Sequence, residues 1–197
     1  MVNKSDFEQY MQVFLKQNSF LNLISKNDEK FLWEKHVFDS LSLGLFFEKY
    51  GIPATILDIG TGGGFPSVPL AVAYPQIEVW GVDSIAKKIN AIENMKIELG
   101  LSNLHPICAR VENLKDKKFE VVVSRAVASL DKLIKYAEKC VQKDGYFVAF
   151  KSKLLDDELE NAKQILKRSS LKLIDTIEYE LPTEEKHIRK LVVFKCS

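Results

Sequence analysis

Four of the nine glycines in this 197-residue chain lie in one short segment, ILDIGTGGGFP, which spans residues 56–66. Glycine permits positive φ and lets a ligand approach the backbone, and Pro66 suits the first turn of a following helix with free N–H groups. The spacing, Asp58-x-Gly60-x-Gly62-x-Gly64, is neither the G-x-G-x-x-G of dinucleotide-binding loops nor a P-loop. A turn without a ligand usually needs only one glycine. The segment therefore predicts a cofactor-binding loop.

Two further candidates for this site follow the next two apolar runs of the sequence. Asp83 ends the second run, 19 residues after Gly64, where an acid can hold the hydroxyl pair of a ribose or else cap the next helix. After the third run, Val111 can offer a backbone N–H and Glu112 a carboxylate to an adenine edge, with a solvated loop acid as the alternative. Ligands of open α/β sheets bind at the carboxyl ends of the strands. The three positions together therefore predict one cofactor site.

Four side chains are candidates for the substrate side. Arg125 follows the fourth apolar run, in Ser-Arg-Ala-Val-Ala-Ser, and its guanidinium suits a carboxylate or a phosphate; a surface ion pair is the alternative. His36 and Asp39, three apart on a helix, either face the site or pack the helix. Lys151 follows the fifth run and could contact RNA. Other basic residues, which either border one cleft or are scattered over the surface, are Lys87, Lys88, Lys153, Arg189 and Lys190.

The elements that must position these residues alternate from residue 55 onward. Short β-branched runs separated by amphipathic helices predict a parallel sheet covered on both faces. Two final runs, joined by Pro-Thr-Glu-Glu, predict an antiparallel edge hairpin. The result is an α/β fold of five β–α units and a hairpin, a seven-stranded doubly wound sheet. The predicted strands are 55–59, 79–82, 106–108, 120–124, 146–150, 171–181 and 188–194, and the predicted helices are 85–99, 130–141 and 156–168.

The first fifty residues are predicted to be helical. A capping box at Ser5 and Glu8 opens the first helix, and a break over residues 18–26 leads to a second helix that begins near Asn27 or Asp28. The length suits one domain, 1–197, with a helical extension over 1–50 and a Rossmann-like core over 51–197.

Composition narrows the class of protein. A formal charge of +1 excludes a protein that binds polyanions through a large overall positive charge. It does not exclude a local basic face that contacts phosphates. The N-terminus lacks a signal-peptide pattern and no apolar run is long enough to span a membrane, which predicts a cytoplasmic protein. Three cysteines without a C-x-x-C pair, Cys108, Cys140 and Cys196, predict neither disulfides nor a metal site.

The D-x-G-x-G-x-G pattern with the edge hairpin resembles the class I S-adenosylmethionine-dependent methyltransferases, which implies that cofactor. After the fourth strand the chain lacks the Asn/Asp-Pro-Pro-aromatic signature of exocyclic-amine methyltransferases, and it has no cysteine there to activate a pyrimidine ring. A ring nitrogen with a free lone pair needs neither device, since alignment with the activated methyl group can supply most of the acceleration.

Four segments make the resemblance specific: residues 33–41 (WEKHVFDSL), 58–69, 124–128 (SRAVA) and 187–193 (HIRKLVV). They are similar to the glucose-inhibited division protein B family, bacterial methyltransferases of guanine N7 in 16S ribosomal RNA. This implies cofactor-binding roles for Gly60, Phe65, Val111, Glu112 and Arg125, and 16S RNA or the small ribosomal subunit as partner. The protein is expected to be a monomer. A small-molecule methyltransferase with an apolar cap, and a noncatalytic cofactor- or RNA-binding scaffold, remain the alternatives.

Overall fold

A computed structural model describes residues 3–114, 117–125, 128–152 and 155–197. Its centre is a seven-stranded sheet in the order β3-β2-β1-β4-β5-β7-β6. The strands are β1 (Thr55–Ile59), β2 (Glu78–Asp83), β3 (Leu104–Cys108), β4 (Phe119–Arg125), β5 (Val141–Lys151), β6 (Leu171–Leu181) and β7 (His187–Cys196). The first five strands are parallel to one another, whereas β7 is antiparallel to both β5 and β6. The predicted doubly wound sheet with an antiparallel edge hairpin is confirmed.

Helices cover both faces of the sheet. The α-helices of the described residues are α1 (Glu8–Leu21), α2 (Lys26–Glu29), α3 (Phe38–Leu41), α4 (Gly44–Tyr50), α5 (Ser67–Ala73), α6 (Ala86–Leu99), α7 (Leu130–Cys140) and α8 (Leu155–Arg168). One core joins α1, α4, α5 and α6 to alternate strand residues such as Val121 and Val123. The other core joins α7 and α8 to the residues between them, such as Val122. This period of two buries both faces of each central strand.

The helices change faces between β1 and β4, since α5 and α6 lie on one side of the sheet and α7 and α8 on the other. Such a switch point leaves a crevice at the carboxyl ends of the two strands. The prediction of five β–α units is wrong in one unit. Among the described residues, β3 is followed only by a single 3-10 turn, Val111–Asn113. The segment after β3 therefore stays at the strand end.

The N-terminal region differs from its prediction in two ways. The capping box is formed by Asn3 and Asp6 rather than by Ser5 and Glu8, and the Asp6 carboxylate accepts the Asn3 N–H at 3.0 Å. The second helix is not continuous. It begins at Lys26, where the Ser25 side chain accepts the Asp28 N–H, and then passes through a π-helix, Leu32–Val37, before α3 and α4.

The sheet also differs slightly from its predicted bounds. Val141, predicted to end the helix, begins β5, and Asp144 adopts a positive φ of 62° within that strand. The division into an extension over 1–50 and a core over 51–197 stays a prediction. In the described part of the chain, no helix is long and apolar enough to cross a membrane.

Candidate cofactor and substrate clefts

Two adjoining cavities open at the carboxyl ends of the parallel strands. The larger has a volume of about 630 Å³ and lies over β1, β4 and β5, facing the N-terminal helices. The smaller has a volume of about 260 Å³ and lies over β1, β2 and β3. Gly60 and Asp83 line both cavities, so the two join into one continuous surface.

The glycine loop forms the floor between the cavities. Gly60, Gly62 and Gly64 all have positive φ, at 72°, 56° and 95°, a backbone region that L side chains rarely adopt. Only Gly60 and Gly62 among these three line the larger cavity. Gly64 turns inward, and a Cβ atom there would lie 2.6 Å from a Val68 methyl group. The third glycine of the pattern therefore serves packing of the following helix.

Beneath the loop lies a buried polar cluster that holds its shape. Asp58, at 0% exposure, accepts the Ser67 N–H with one carboxylate oxygen at 3.2 Å, and the Thr61 and Ser67 hydroxyls are 2.5 Å apart. The other Asp58 oxygen is buried without a hydrogen bond to any described residue. Burial raises the pKa of Asp58 to about 6. The charged form of Asp58 is therefore destabilised in the folded protein.

Asp83 lines both cavities, but it does not cap α6, because the N-cap residue is Ile85 and no side chain among the described residues caps that helix end. One carboxylate oxygen accepts the Gly62 N–H at 3.1 Å and the other accepts the Ile85 N–H at 2.9 Å, next to the start of α6. The side chain thus fixes the glycine loop against β2 while lining both cavities. Lys88 lies 4.0 Å away and partly balances its charge.

The smaller cavity is lined by apolar side chains and by two carboxylate residues. Ile59, Val82 and Ala109 line its interior. Val111 and Glu112, both predicted here, line it together with Asp83. The Glu112 carboxylate also raises the pKa of Tyr136, another lining residue. An apolar slot with two acceptors suits a flat nucleobase with a ribose.

The opposite wall of the larger cavity is a side-chain network centred on Arg125. One guanidinium nitrogen donates to the Lys35 carbonyl at 3.2 Å and to the Asp39 carboxylate at 3.0 Å. The other lies 3.1 Å from His36 Nδ1, and the group stacks over the Phe65 ring at 5.0 Å. The Lys35 carbonyl belongs to the π-helix, an irregular turn of the kind that often occurs at functional sites. Most of the Arg125 fork is therefore held by the protein itself.

The contact with Arg125 determines the state of His36. A guanidinium has only donors, so His36 Nδ1 must accept, and the ring proton is on Nε2. Burial, together with the Arg125 cation, lowers the pKa of His36 from 6.5 to about 4. The ring also packs on Phe65, with centroids 5.0 Å apart. His36 is therefore neutral near pH 7.

Asp39 connects this wall to the edge hairpin. Its side chain is 4% exposed, and its second oxygen accepts the Tyr179 hydroxyl of β6 at 2.7 Å. Arg189 of β7 lies opposite Tyr179 in the strand register, and its Nε is 3.9 Å from the same oxygen. One buried carboxylate thus joins the N-terminal helices, the end of β4 and the hairpin.

Lys151 lines the larger cavity but is already paired. Its Nζ donates to Glu158 at 2.6 Å, with only 7% of the lysine side chain exposed. The same Glu158 oxygen accepts the Leu130 N–H at 3.1 Å. Glu158 therefore ties α8 to both the end of β5 and the start of α7.

The structure brings the predicted site residues together along one edge. Among the basic candidates, Lys88 and Arg189 line the larger cavity, whereas Lys87 and Lys190 line neither cavity, and Lys153 lies outside the described residues. Sequence reasoning missed the roles of Tyr179 and Glu158. A predicted register for the hairpin could have found Tyr179 opposite Arg189, but no local pattern indicates Glu158.

Comparison with solved structures gives the class of protein. Coclaurine N-methyltransferase bound to N-methylheliamine and SAH superposes with a TM-score of 0.64 at 11% identity, over 98% of this chain and 87% of that one. TYW2 of M. jannaschii in complex with AdoMet superposes with a TM-score of 0.57 at 19% identity, over 73% and 69%. The sheet order and these likenesses define the fold as that of the class I S-adenosylmethionine-dependent methyltransferases.

Sequence comparison gives the family. The family model described as "GidB: rRNA small subunit methyltransferase G" matches residues 3–188. Ribosomal RNA small subunit methyltransferase G of Lactobacillus helveticus is 37% identical over 98% of this chain and 82% of its own length. The protein of that name from Lachnoclostridium phytofermentans is 37% identical over 96% and 79%. This chain belongs to the rRNA small subunit methyltransferase G family, which confirms the predicted resemblance.

Proposed function

We propose that this protein transfers a methyl group from S-adenosylmethionine to N7 of a guanine in 16S ribosomal RNA. Family membership supports the reaction class and the RNA substrate. The observation that carries the proposal is the joining of a nucleoside-shaped slot to a larger, cation-lined cleft at Gly60 and Asp83. A cofactor that spans this junction presents its reactive end to whatever enters the larger cleft.

The smaller cavity is assigned to the adenosine part of the cofactor. Its apolar walls suit the adenine, with the Val111 backbone and the Glu112 carboxylate at the base edge. Asp83 is placed to hold the ribose hydroxyls, because its oxygens retain lone pairs beyond the two N–H groups they already accept. Gly60 and Gly62 leave room at the junction for the methionine part.

The chemistry requires alignment rather than proton transfer. When bound, the cofactor supplies a methyl group on a positively charged sulfur. As N7 of guanine attacks with its lone pair, the sulfur–carbon bond breaks and a nitrogen–carbon bond forms, with no proton to remove. The positive charge moves onto the purine. Neutral His36 and the Asp39-balanced Arg125 fit this chemistry, because neither adds an uncompensated cation beside the product.

The substrate side is assigned to the larger cleft. It is lined by Arg125, His36, Lys151 and further basic residues. Such a lining suits RNA, whereas a small-molecule methyltransferase would be expected to have an apolar cap over this site. Arg125 stacks on Phe65 of the glycine loop and donates to the Lys35 carbonyl of the π-helix. We therefore assign it the role of positioning the glycine loop against the π-helix. Lys151 is assigned to the RNA side of the cleft while it keeps its hydrogen bond to Glu158.

The partner is assigned as the small ribosomal subunit or an assembly intermediate rather than free RNA. A guanine held in folded RNA must be unstacked before it can enter the larger cleft, and this favours particular assembly states. We further propose that the protein acts in the cytoplasm as a monomer. Light scattering at working concentration, with and without cofactor, measures the oligomeric state, and a stable dimer contradicts that part of the proposal.

The test uses purified protein, S-adenosylmethionine and small subunits from cells that lack the modification, followed by nucleoside mass spectrometry. We expect a protein-dependent 7-methylguanosine peak, and a weaker one with Arg125→Ala. Asp83→Asn serves as the cofactor-side variant, for which calorimetry should show weakened S-adenosylmethionine binding. Absence of any methylated nucleoside, although the cofactor binds, would refute the rRNA assignment and leave the fold assignment intact.

A further inference from the structure

Among the described cations that line the larger cleft, Arg189 is the one whose nearby acid is already paired with another cation. It lies on β7 with 35% of its side chain exposed, and its buried Nε makes no hydrogen bond within the described part of the chain. Its nearest acid is Asp39, at 3.9 Å. Both Asp39 oxygens already accept short hydrogen bonds, from Arg125 at 3.0 Å and from Tyr179 at 2.7 Å. Arg189 is thus a second cation beside a carboxylate that is already satisfied.

Among the described residues, each of the other cations that line the cleft can be matched with a different acid. These pairs are Lys35–Asp28 at 3.6 Å, Lys88–Asp83 at 4.0 Å, Lys151–Glu158 at 2.6 Å and Arg125–Asp39 at 3.0 Å. The positive charge that is left over is therefore that of Arg189. A guanidinium in this situation favours an incoming oxyanion, which it can bind with two parallel hydrogen bonds.

The position of Arg189 selects between the two oxyanions that could reach the cleft. In the sheet, β7 is separated from β1 and its glycine loop by β4 and β5. Three strand spacings put the backbone of β7 about 14 Å from the backbone of β1. The methionine carboxylate of the cofactor belongs at the glycine loop. A phosphate beside the target nucleotide belongs at the far wall, which is the side of the larger cavity formed by Arg125, Asp39 and Arg189.

We propose that Arg189 binds a backbone phosphate of the RNA next to the target guanine, with Asp39 as the positioning residue that holds it against the cleft. This inference rests on the proposed function. It also divides the work of the two arginines. Arg125 braces the wall with a fork already occupied by Lys35, His36 and Asp39, and Arg189 contacts the substrate.

The test measures binding of small subunits over a series of salt concentrations, and S-adenosylmethionine binding by calorimetry. For Arg189→Ala we expect about tenfold weaker subunit binding, as for loss of one charged hydrogen-bonded contact. The slope of log K against log salt should become shallower by about 0.7 to 0.9, the value for one phosphate contact. The affinity for S-adenosylmethionine should not change.

Two variants serve as controls. Lys190→Ala removes the same charge from the next residue, whose side chain points to the other face of the strand and lies 4.0 Å from Glu178. It should change subunit affinity less than twofold and leave the slope unchanged. Arg189→Lys keeps the charge but not the fork, so it should bind with intermediate affinity and the wild-type slope.

Three results would overturn the assignment of Arg189. Weaker cofactor binding with an unchanged salt slope in Arg189→Ala identifies the methionine carboxylate as its ligand. Equal effects of Arg189→Ala and Lys190→Ala indicate a diffuse charge effect. Wild-type affinity and slope in Arg189→Ala show that no phosphate is bound there. If wild type yields no 7-methylguanosine but Arg189→Ala still flattens the slope, the proposed reaction fails and the phosphate contact stands.

Discussion

The two sides of the joined clefts are built in different ways. On the side of the smaller cavity, the glycine loop, Asp83 and Glu112 lie at or just after the ends of three neighbouring parallel strands, and main-chain N–H groups fix Asp83 against the loop. The far wall is made of side chains from segments far apart in the chain, with Arg125 and Asp39 separated by 86 residues and Tyr179 and Asp39 by 140. The backbone-built side should tolerate many side-chain changes, whereas the far wall depends on a few buried charges.

The largest effect is expected at Asp39, the centre of the far wall. Asp39→Asn leaves Arg125, which is 15% exposed, without its counter-charge. We expect the free energy of unfolding to fall by about 4 kcal/mol, because breaking a buried pair strands one charge. Urea denaturation measures the change. Asp28→Asn makes the same substitution in the exposed pair with Lys35 and should cost less than about 1 kcal/mol. Equal costs would show that Asp39 is not the centre of the wall.

The next largest effect is expected at Asp58, beneath the glycine loop, where substitution should raise the free energy of unfolding rather than lower it. Its pKa is about 6 in the folded protein against an ordinary 3.8. A raised pKa stabilises the folded state below the lower value, and that stability is lost as the pH rises from about 4 to about 6. At pH 7, Asp58→Asn should therefore gain up to about 3 kcal/mol of unfolding free energy.

Urea denaturation of wild type and Asp58→Asn over pH 4 to 7 tests this difference. The gain of the variant should shrink as the pH falls and vanish near pH 4. His36 acts in the reverse direction in both proteins, because its pKa is lowered to about 4 and its stabilisation is lost on acidification below 6.5. A gain that is constant with pH would contradict the raised pKa of Asp58.

The glycines of the loop separate packing from ligand access. Gly64→Ala should cost about 2 kcal/mol, because its φ of 95° is strained for alanine and its Cβ would lie 2.6 Å from Val68. Gly62→Ala meets no atom closer than 3.8 Å and should cost about half as much, yet it should weaken S-adenosylmethionine binding more. Thermal melts and calorimetry on both variants measure the two quantities. A larger stability loss at Gly62 would reverse the distinction.

Apart from the comparison variants, the smallest effect is expected at Glu158, on the margin of the far wall. Glu158→Gln keeps an acceptor for the Leu130 N–H but loses the charge that pairs with Lys151. We expect a loss of about 1.5 kcal/mol, because Lys151, only 7% exposed, loses its counter-charge, although water reaches the 29% exposed residue 158 and offsets part of the cost. Glu160→Gln, in a fully surface pair with Lys163, is the matched control and should lie within about 0.5 kcal/mol of wild type.

The sequence by itself determined the sheet and the location of the smaller cavity. Apolar runs and helical spacing gave all seven strands to within a few residues, and the glycine pattern located the loop after β1. These features depend on local backbone geometry and on the alternation of buried side chains, which a sequence records directly. The placement of Asp83 and Glu112 at one cavity was predictable because every parallel strand delivers its carboxyl end to the same edge.

Only the tertiary structure decided the far wall. The π-helix turns the Lys35 carbonyl toward Arg125, and no spacing in residues 32–37 predicts that irregular turn. The meeting of Tyr179 and Arg189 at Asp39 depends on the hairpin register and on how the N-terminal helices sit on the sheet. A charged residue in a sequence carries no sign of its distant partner. The acids that the fold brings beside an arginine decide whether its guanidinium is bonded within the protein or is available to bind a phosphate.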